Sequence, residues 1–157
     1  MRHPPPHLRG PGLNASELQA LIRSRIPVAD FMQLEVRLLT PDQVDISAPL
    51  EPNRNVHGTL FGGSGTAIAL VAAWSLVHAR MHTQGLLQPL VVAQQSTQYF
   101  KPVTDRVLAR AVFAHPQAWG EFTQRLAQGQ RARVPVQVEL QQHEGQTAAR
   151  VEALFAA

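Results

Sequence analysis

From residue 52 to residue 104 the chain contains neither aspartate nor glutamate, and within that window residues 53–81 read NRNVHGTLFGGSGTAIALVAAWSLVHARM. A polar turn leads through four glycines into a run that is uncharged from Leu60 to Val77. An apolar helix of this length is either enclosed by protein or lies in lipid. Here the first turns are glycine-rich and much of the rest is alanine, which gives little transfer energy. The segments on either side alternate apolar and polar residues, and their apolar faces need something to cover. The run therefore reads as a buried central helix, with no membrane span, whose N-terminus is the working end.

The flanks supply what could wrap it. Asn14-Ala-Ser-Glu17 is a capping-box pattern that opens a short helix with Leu18, Leu21 and Ile22 on one face, stopped by Pro27. Met32, Leu34, Val36 and Leu38 alternate with polar residues, as do Val44, Ile46, Ala48 and Leu50 after a turn at Pro41-Asp42. These two runs predict an antiparallel hairpin. Beyond the central helix, residues 91–100 predict a strand that is polar on both faces from Gln94 to Gln98, ended by Pro102. Val107, Ala109, Ala111 and Phe113 mark the next strand, and residues 121–128 a short helix stopped by Gly129. Val134 to Leu140 alternate despite Pro135, which predicts an edge position or a bulge there. Glu144-Gly145 predicts a turn, and Ala149 to Phe155 a last strand. The expected class is α+β, with an antiparallel sheet packed on one long helix.

A chain of 157 residues with 45% apolar and 16% charged residues is expected to form one globular domain, residues 14–157, behind a flexible or polyproline-like leader at 1–13. The absence of cysteine excludes disulfides, thiolate metal sites and a cysteine nucleophile, and fits a cytoplasmic setting. The net charge of +3 is small and its basic residues are scattered, with no basic stripe or stacking platform for a nucleic acid. A phosphate-binding P-loop is absent. Gly63-Ser-Gly65 lacks the third glycine and following acid of a dinucleotide fingerprint. Ser64 lacks the Gly-x-Ser-x-Gly elbow because Thr66 stands where the last glycine belongs, so it reads as a helix N-cap. His78 and His82 share a helix face without a third ligand, which favours packing over a metal site.

Asn55-Val-His57-Gly58-Thr-Leu-Phe61-Gly62-Gly63, followed by the helix and by Tyr99-Phe100-Lys101-Pro102-Val103, resembles the hotdog-fold thioesterases. The nearest resemblance is to the thioesterase domain of YiiD C-terminal type, over roughly residues 31–155, here without the acetyltransferase domain that precedes it in some bacteria. The turn is similar to the Asn-x-His-Gly-x-x-His-Gly-Gly of phenylacetate-type hotdogs. It departs from them at Phe61, where they have a second histidine, and at Leu70, where they carry a helix aspartate. The resemblance implies a curved antiparallel sheet around the helix and a homodimer or dimer of dimers. It also implies a substrate carried on coenzyme A or acyl carrier protein, and no separate cofactor.

A thioesterase must polarise a carbonyl and deliver water. Amides at a helix N-terminus can do the first, and Gly62 and Gly63 let a ligand approach the backbone, or else let the helix pack closely on the sheet. Asn55 either holds the turn or positions water. His57 can act as general base or bond to loop backbone. The resemblance extends substrate contact to Gly58, Phe61 and Ser64, while Arg54, Lys101 and Arg106 are candidates for phosphate contacts or solvated cations. Two readings follow: an acyl-thioester hydrolase, or, given the missing helix carboxylate, a binder of acyl thioesters that does not cleave them. A dehydratase lacks the histidine–acid pair for elimination.

Overall fold

The computed structural model describes residues 12–143 and 145–157, so the expected leader up to residue 11 and Glu144 of the expected turn lie outside the described residues. Helix α1 (Ala15–Arg25) begins at the predicted box: Asn14 Oδ1 accepts the Glu17 N–H at 2.8 Å and Glu17 Oε2 accepts the Asn14 N–H at 2.9 Å. Leu18 and Ile22 go into the core. Pro27 ends α1, and it also opens a second helix, α2 (Pro27–Phe31), because its fixed φ and missing N–H suit a first helical position.

The first strand starts later than the alternation predicts. Met32 caps α2 and Gln33 has φ 58°, a left-handed turn residue, so β1 runs Glu35–Leu39. A bulge between Val36 and Leu38 then breaks the alternation: Leu38 is turned outward and Leu39 packs against the core. Strand β2 (Gln43–Ala48) pairs with β1 as the expected hairpin. A short 3₁₀ turn (Glu51–Asn53), which includes the Leu50 end of the expected strand as its cap, leads to α3 (Gly62–Thr83).

The rest follows as β3 (Val91–Tyr99), β4 (Val107–Phe113), α4 (Ala118–Ala127), β5 (Arg133–Gln142) and β6 (Gln146–Ala156). One six-stranded antiparallel sheet has the order β1-β2-β4-β5-β6-β3, so the chain leaving α3 crosses to the far edge before returning to the middle. Pro135 therefore sits in an interior strand without a bulge, contrary to expectation. It is tolerated because β4 pairs with β5 only as far as Phe113 opposite Val136; the missing N–H falls beyond that last rung, and the Pro135 carbonyl accepts from Ala114 N–H at 3.1 Å.

The sheet curves around α3. Ile68, Ala69, Ala72, Ala73 and Val77 are fully buried against the inward rows of β2, β4, β5 and β6. Alanine at these positions lets the helix backbone lie close to the sheet. The helix is long and apolar enough to cross a membrane by length and composition, and half of its residues are buried within the fold. On the outward face, Asp45, Arg110, Glu139 and Arg150 stand opposite one another across β2, β4, β5 and β6 and alternate in sign. Asp45 is buried there because Arg110 holds it with two bonds of 3.0 and 2.9 Å. This is the hotdog arrangement that the sequence implies.

Candidate active site

The working end of α3 is assembled from three segments. The loop before the helix is pinned from below by Asn53, which is buried: its Nδ2 donates to the carbonyls of Met32 at 3.0 Å and Pro49 at 2.8 Å. Its own carbonyl accepts the Phe61 N–H at 2.8 Å. From the other side the Val103 carbonyl accepts the Leu60 N–H at 2.9 Å. Gln142, nearly buried at the end of β5, fixes that segment by donating to the Pro102 carbonyl at 2.9 Å and accepting from Thr104 N–H at 3.1 Å.

Between the Arg54–Leu60 bridge the chain makes a small loop organised by Asn55. Asn55 Oδ1 accepts the N–H groups of His57 at 2.8 Å and Thr59 at 3.1 Å, and its Nδ2 donates to Thr59 Oγ1 at 2.8 Å. Gly58 takes φ 77°, a conformation that favours glycine. Val56 and His57 stand exposed at the tip. The His57 ring has no hydrogen-bond partner among the described residues; only its backbone is held by the turn.

Helix α3 begins at Gly62 with Phe61 as N-cap and no side-chain capping bond, so Ser64 lies inside the first turn and is not the N-cap the sequence predicts. The first bond of the helix is Gly65 N–H to the Phe61 carbonyl, 2.9 Å. The amides of Gly62, Gly63 and Ser64 precede any intrahelical acceptor and sit at the positive end of a 22-residue helix dipole. The glycines differ in what faces them. A Cβ on Gly62 would meet the Tyr99 hydroxyl at 3.4 Å, and one on Gly63 would lie 2.6 Å from the Phe61 ring. The glycine that lets the helix pack on the sheet is Gly65, where a Cβ would come within 3.2 Å of Leu140 and 3.3 Å of Leu60.

Strand β3 contributes Thr97 and Tyr99, which sequence reasoning missed as site residues. The Tyr99 hydroxyl donates to the Gly62 carbonyl and lies 2.8 Å from Thr66 Oγ1, which is 3.0 Å from Thr97 Oγ1. Thr97 Oγ1 in turn donates to Gln95 Oε1 at 2.9 Å. The polar character of β3 was visible; that it would lie beside the first turn of α3 depends on the sheet order.

The other candidates are dispersed. Arg54 pairs with Glu51 at 3.2 Å, and Arg106 lies among Glu35 at 4.0 Å and Ser47 at 3.5 Å on the outward face. Lys101 is exposed just past β3. Leu70, at the position of the helix aspartate in phenylacetate-type proteins, is partly buried against the core. Toward the far end of α3, His78 stacks on Trp74 at 4.3 Å, with the His82 ring 6.4 Å away. Burial, and secondarily the neighbouring His82, hold the His78 pKa below its ordinary value. Among the described residues no three histidine or carboxylate side chains gather as a metal site would require.

A model of the family described as "Putative thioesterase (yiiD_Cterm)" matches residues 15–157. A "putative thioesterase" from Shewanella oneidensis is 27% identical and superposes with a TM-score of 0.80, over 91% of this chain and 96% of that one. A protein of unknown function from Chlorobaculum tepidum superposes at 0.82 with 23% identity, over 90% and 92% of the two chains. A thioesterase from Haemophilus influenzae superposes at 0.73 with 15% identity, over 95% and 93%. The last two show the shared fold.

Proposed function

Because the chain belongs to the YiiD C-terminal thioesterase family, we propose that it hydrolyses acyl thioesters of coenzyme A or acyl carrier protein at the N-terminus of α3. The observation that carries this reading is the first turn of α3, whose Gly62 and Gly63 amides have no intrahelical acceptor. Water attacks the thioester carbonyl carbon. The carbonyl oxygen becomes an oxyanion that accepts from those amides, and the dipole of the helix favours the charge. Collapse breaks the C–S bond, giving a carboxylic acid and a thiolate that takes up a proton. His57 serves as the base that draws a proton from the water, and Asn55 fixes the loop that presents it. The Tyr99 hydroxyl, bonded to the Gly62 carbonyl, holds the first turn in place.

The edge strand supports a homodimer. Val91, Val92, Tyr99 and Phe100 are 61%, 44%, 53% and 50% exposed along the free edge of the sheet. A free edge presents a row of unpaired N–H and C=O groups that invites another strand, and the apolar side chains at its two ends add surface to bury. Two copies pairing through β3 would extend the sheet and enclose the helix N-termini.

The test is thiol release from short, long and aromatic acyl-CoAs by the purified protein, repeated with His57→Ala. Saturable turnover in the wild type and a loss of roughly 100-fold in the folded variant are expected for a general base. An unchanged rate would remove His57 from the mechanism. One observation favours a second reading, a binder without turnover: no aspartate or glutamate stands anywhere from residue 52 to residue 104. Tight acyl-CoA binding with no thiol released would select it.

A further inference from the structure

At the end of the sheet away from Tyr99, the C-terminal turn of α4 and the adjoining ends of β3, β5 and β6 enclose a groove of about 860 Å³. Arg125, Arg131 and Arg133 line it, over a floor that includes Val91, Ala132 and Ala156. All three arginines are exposed. Elsewhere among the described residues most arginines face acids, as Arg80 does Asp42, Arg110 does Asp45 and Arg150 does Glu139. Among the described residues no carboxylate side chain lines the groove or pairs with its three arginines. Among the described residues their one side-chain hydrogen bond runs from Arg125 Nε to the Arg131 carbonyl, 3.3 Å, and ties the helix end to the loop before β5.

Three guanidinium groups line this one groove together with Ala157, and their summed positive charge favours the entry of an anion. Guanidinium forks match phosphate oxygens in pairs. The apolar floor beside them can take the face of a heterocycle. We propose that this groove binds the phosphate groups of coenzyme A, a proposal that rests on the acyl-thioester reading above. The strand geometry fits it to the dimer. Within one chain β3 separates Val91 at the groove from Tyr99 at the site by eight residues, about 26 Å at the usual rise. Antiparallel pairing of β3 with a second copy, centred near Gln95, lays the Val91 end of one protomer beside the Tyr99 end of the other. The groove of each protomer then serves the helix N-terminus of its partner.

The experiment is calorimetric titration of coenzyme A, dephospho-coenzyme A and pantetheine into wild-type protein and into Arg131→Gln/Arg133→Gln. Coenzyme A is expected to bind the double variant at least roughly tenfold more weakly, the loss of one or more charge-assisted phosphate contacts. Pantetheine, which lacks phosphate, is expected to bind both alike, and Arg131→Lys/Arg133→Lys to recover part of the loss. Equal affinity of wild type and double variant for coenzyme A overturns the proposal, as does a wild type that fails to bind coenzyme A or does not prefer it to pantetheine. The readout is independent of turnover. Binding that needs the arginines but releases no thiol from acyl-CoA would sink the hydrolase reading alone, and thiol release with arginine-independent binding would sink the groove alone.

Discussion

Tyr99 makes its hydrogen bonds to the candidate site through its hydroxyl, donating to the Gly62 carbonyl beside Thr66, while its ring lies against Gly62. Tyr99→Phe keeps the ring against Gly62 and removes those bonds. Turnover is expected to fall by roughly tenfold, the equivalent of one net hydrogen bond, while thermal unfolding shifts little. Unchanged thiol release in that variant would show that the first turn of α3 needs no such brace. The roles of neighbouring residues were legible to different degrees. Asn55 as a turn holder follows from its side chain and the glycine three residues on, and its bonds to His57 and Thr59 show that turn. Ser64 misled because serine beside glycine is a common capping signal, whereas the backbone already enters the helix at Gly62. The part played by Asn53 was invisible, because its partners Met32 and Pro49 are brought to it only by the fold.

Among the elements, period-two alternation placed β2, β4, β5 and β6, because apolar residues of each face the core and polar ones face outward, although in β2 the outward Asp45 and Ser47 are buried as well. It placed β1 poorly, since the bulge after Val36 shifts which side chains turn inward, and no residue type announces a bulge. Pro135 was read from the rule for complete ladders, and the ladder ends one rung short of it. The outward charge row was also beyond reach, because register decides which charges meet. Its keystone is Asp45, 5% exposed and held in two bonds by Arg110. Those bonds, with burial opposing them, raise the Arg110 pKa, so the pair stays charged on the arginine side at any ordinary pH. Asp45→Asn is expected to lower the unfolding free energy by about 1–2 kcal/mol, the smaller part of the usual range because Arg110 remains half in water. Urea denaturation measures it, and a midpoint identical to wild type would show that the row adds nothing.

For the whole molecule, one apolar helix and six amphipathic strands leave few arrangements, and the sheet-wrapped helix was legible for that reason. Strand order was not, because any of several antiparallel neighbours satisfies the same alternation; the placement of β3 at the far edge is settled by packing. That placement makes β3 both a wall of the site and the free edge through which copies are proposed to meet. Sedimentation equilibrium is expected to return twice the mass of the 17.2 kDa chain, and a monomer at micromolar concentration would refute the pairing. The account as a whole turns on where a thioester carbonyl sits. The direct measurement is a crystal structure with an acyl-CoA analogue in which a methylene replaces the thioester sulfur, so that the carbonyl is kept and cannot be cleaved. The predicted result is a carbonyl oxygen about 3 Å from the Gly62 and Gly63 amides. A bound analogue with its carbonyl elsewhere, and those amides facing solvent, would contradict it.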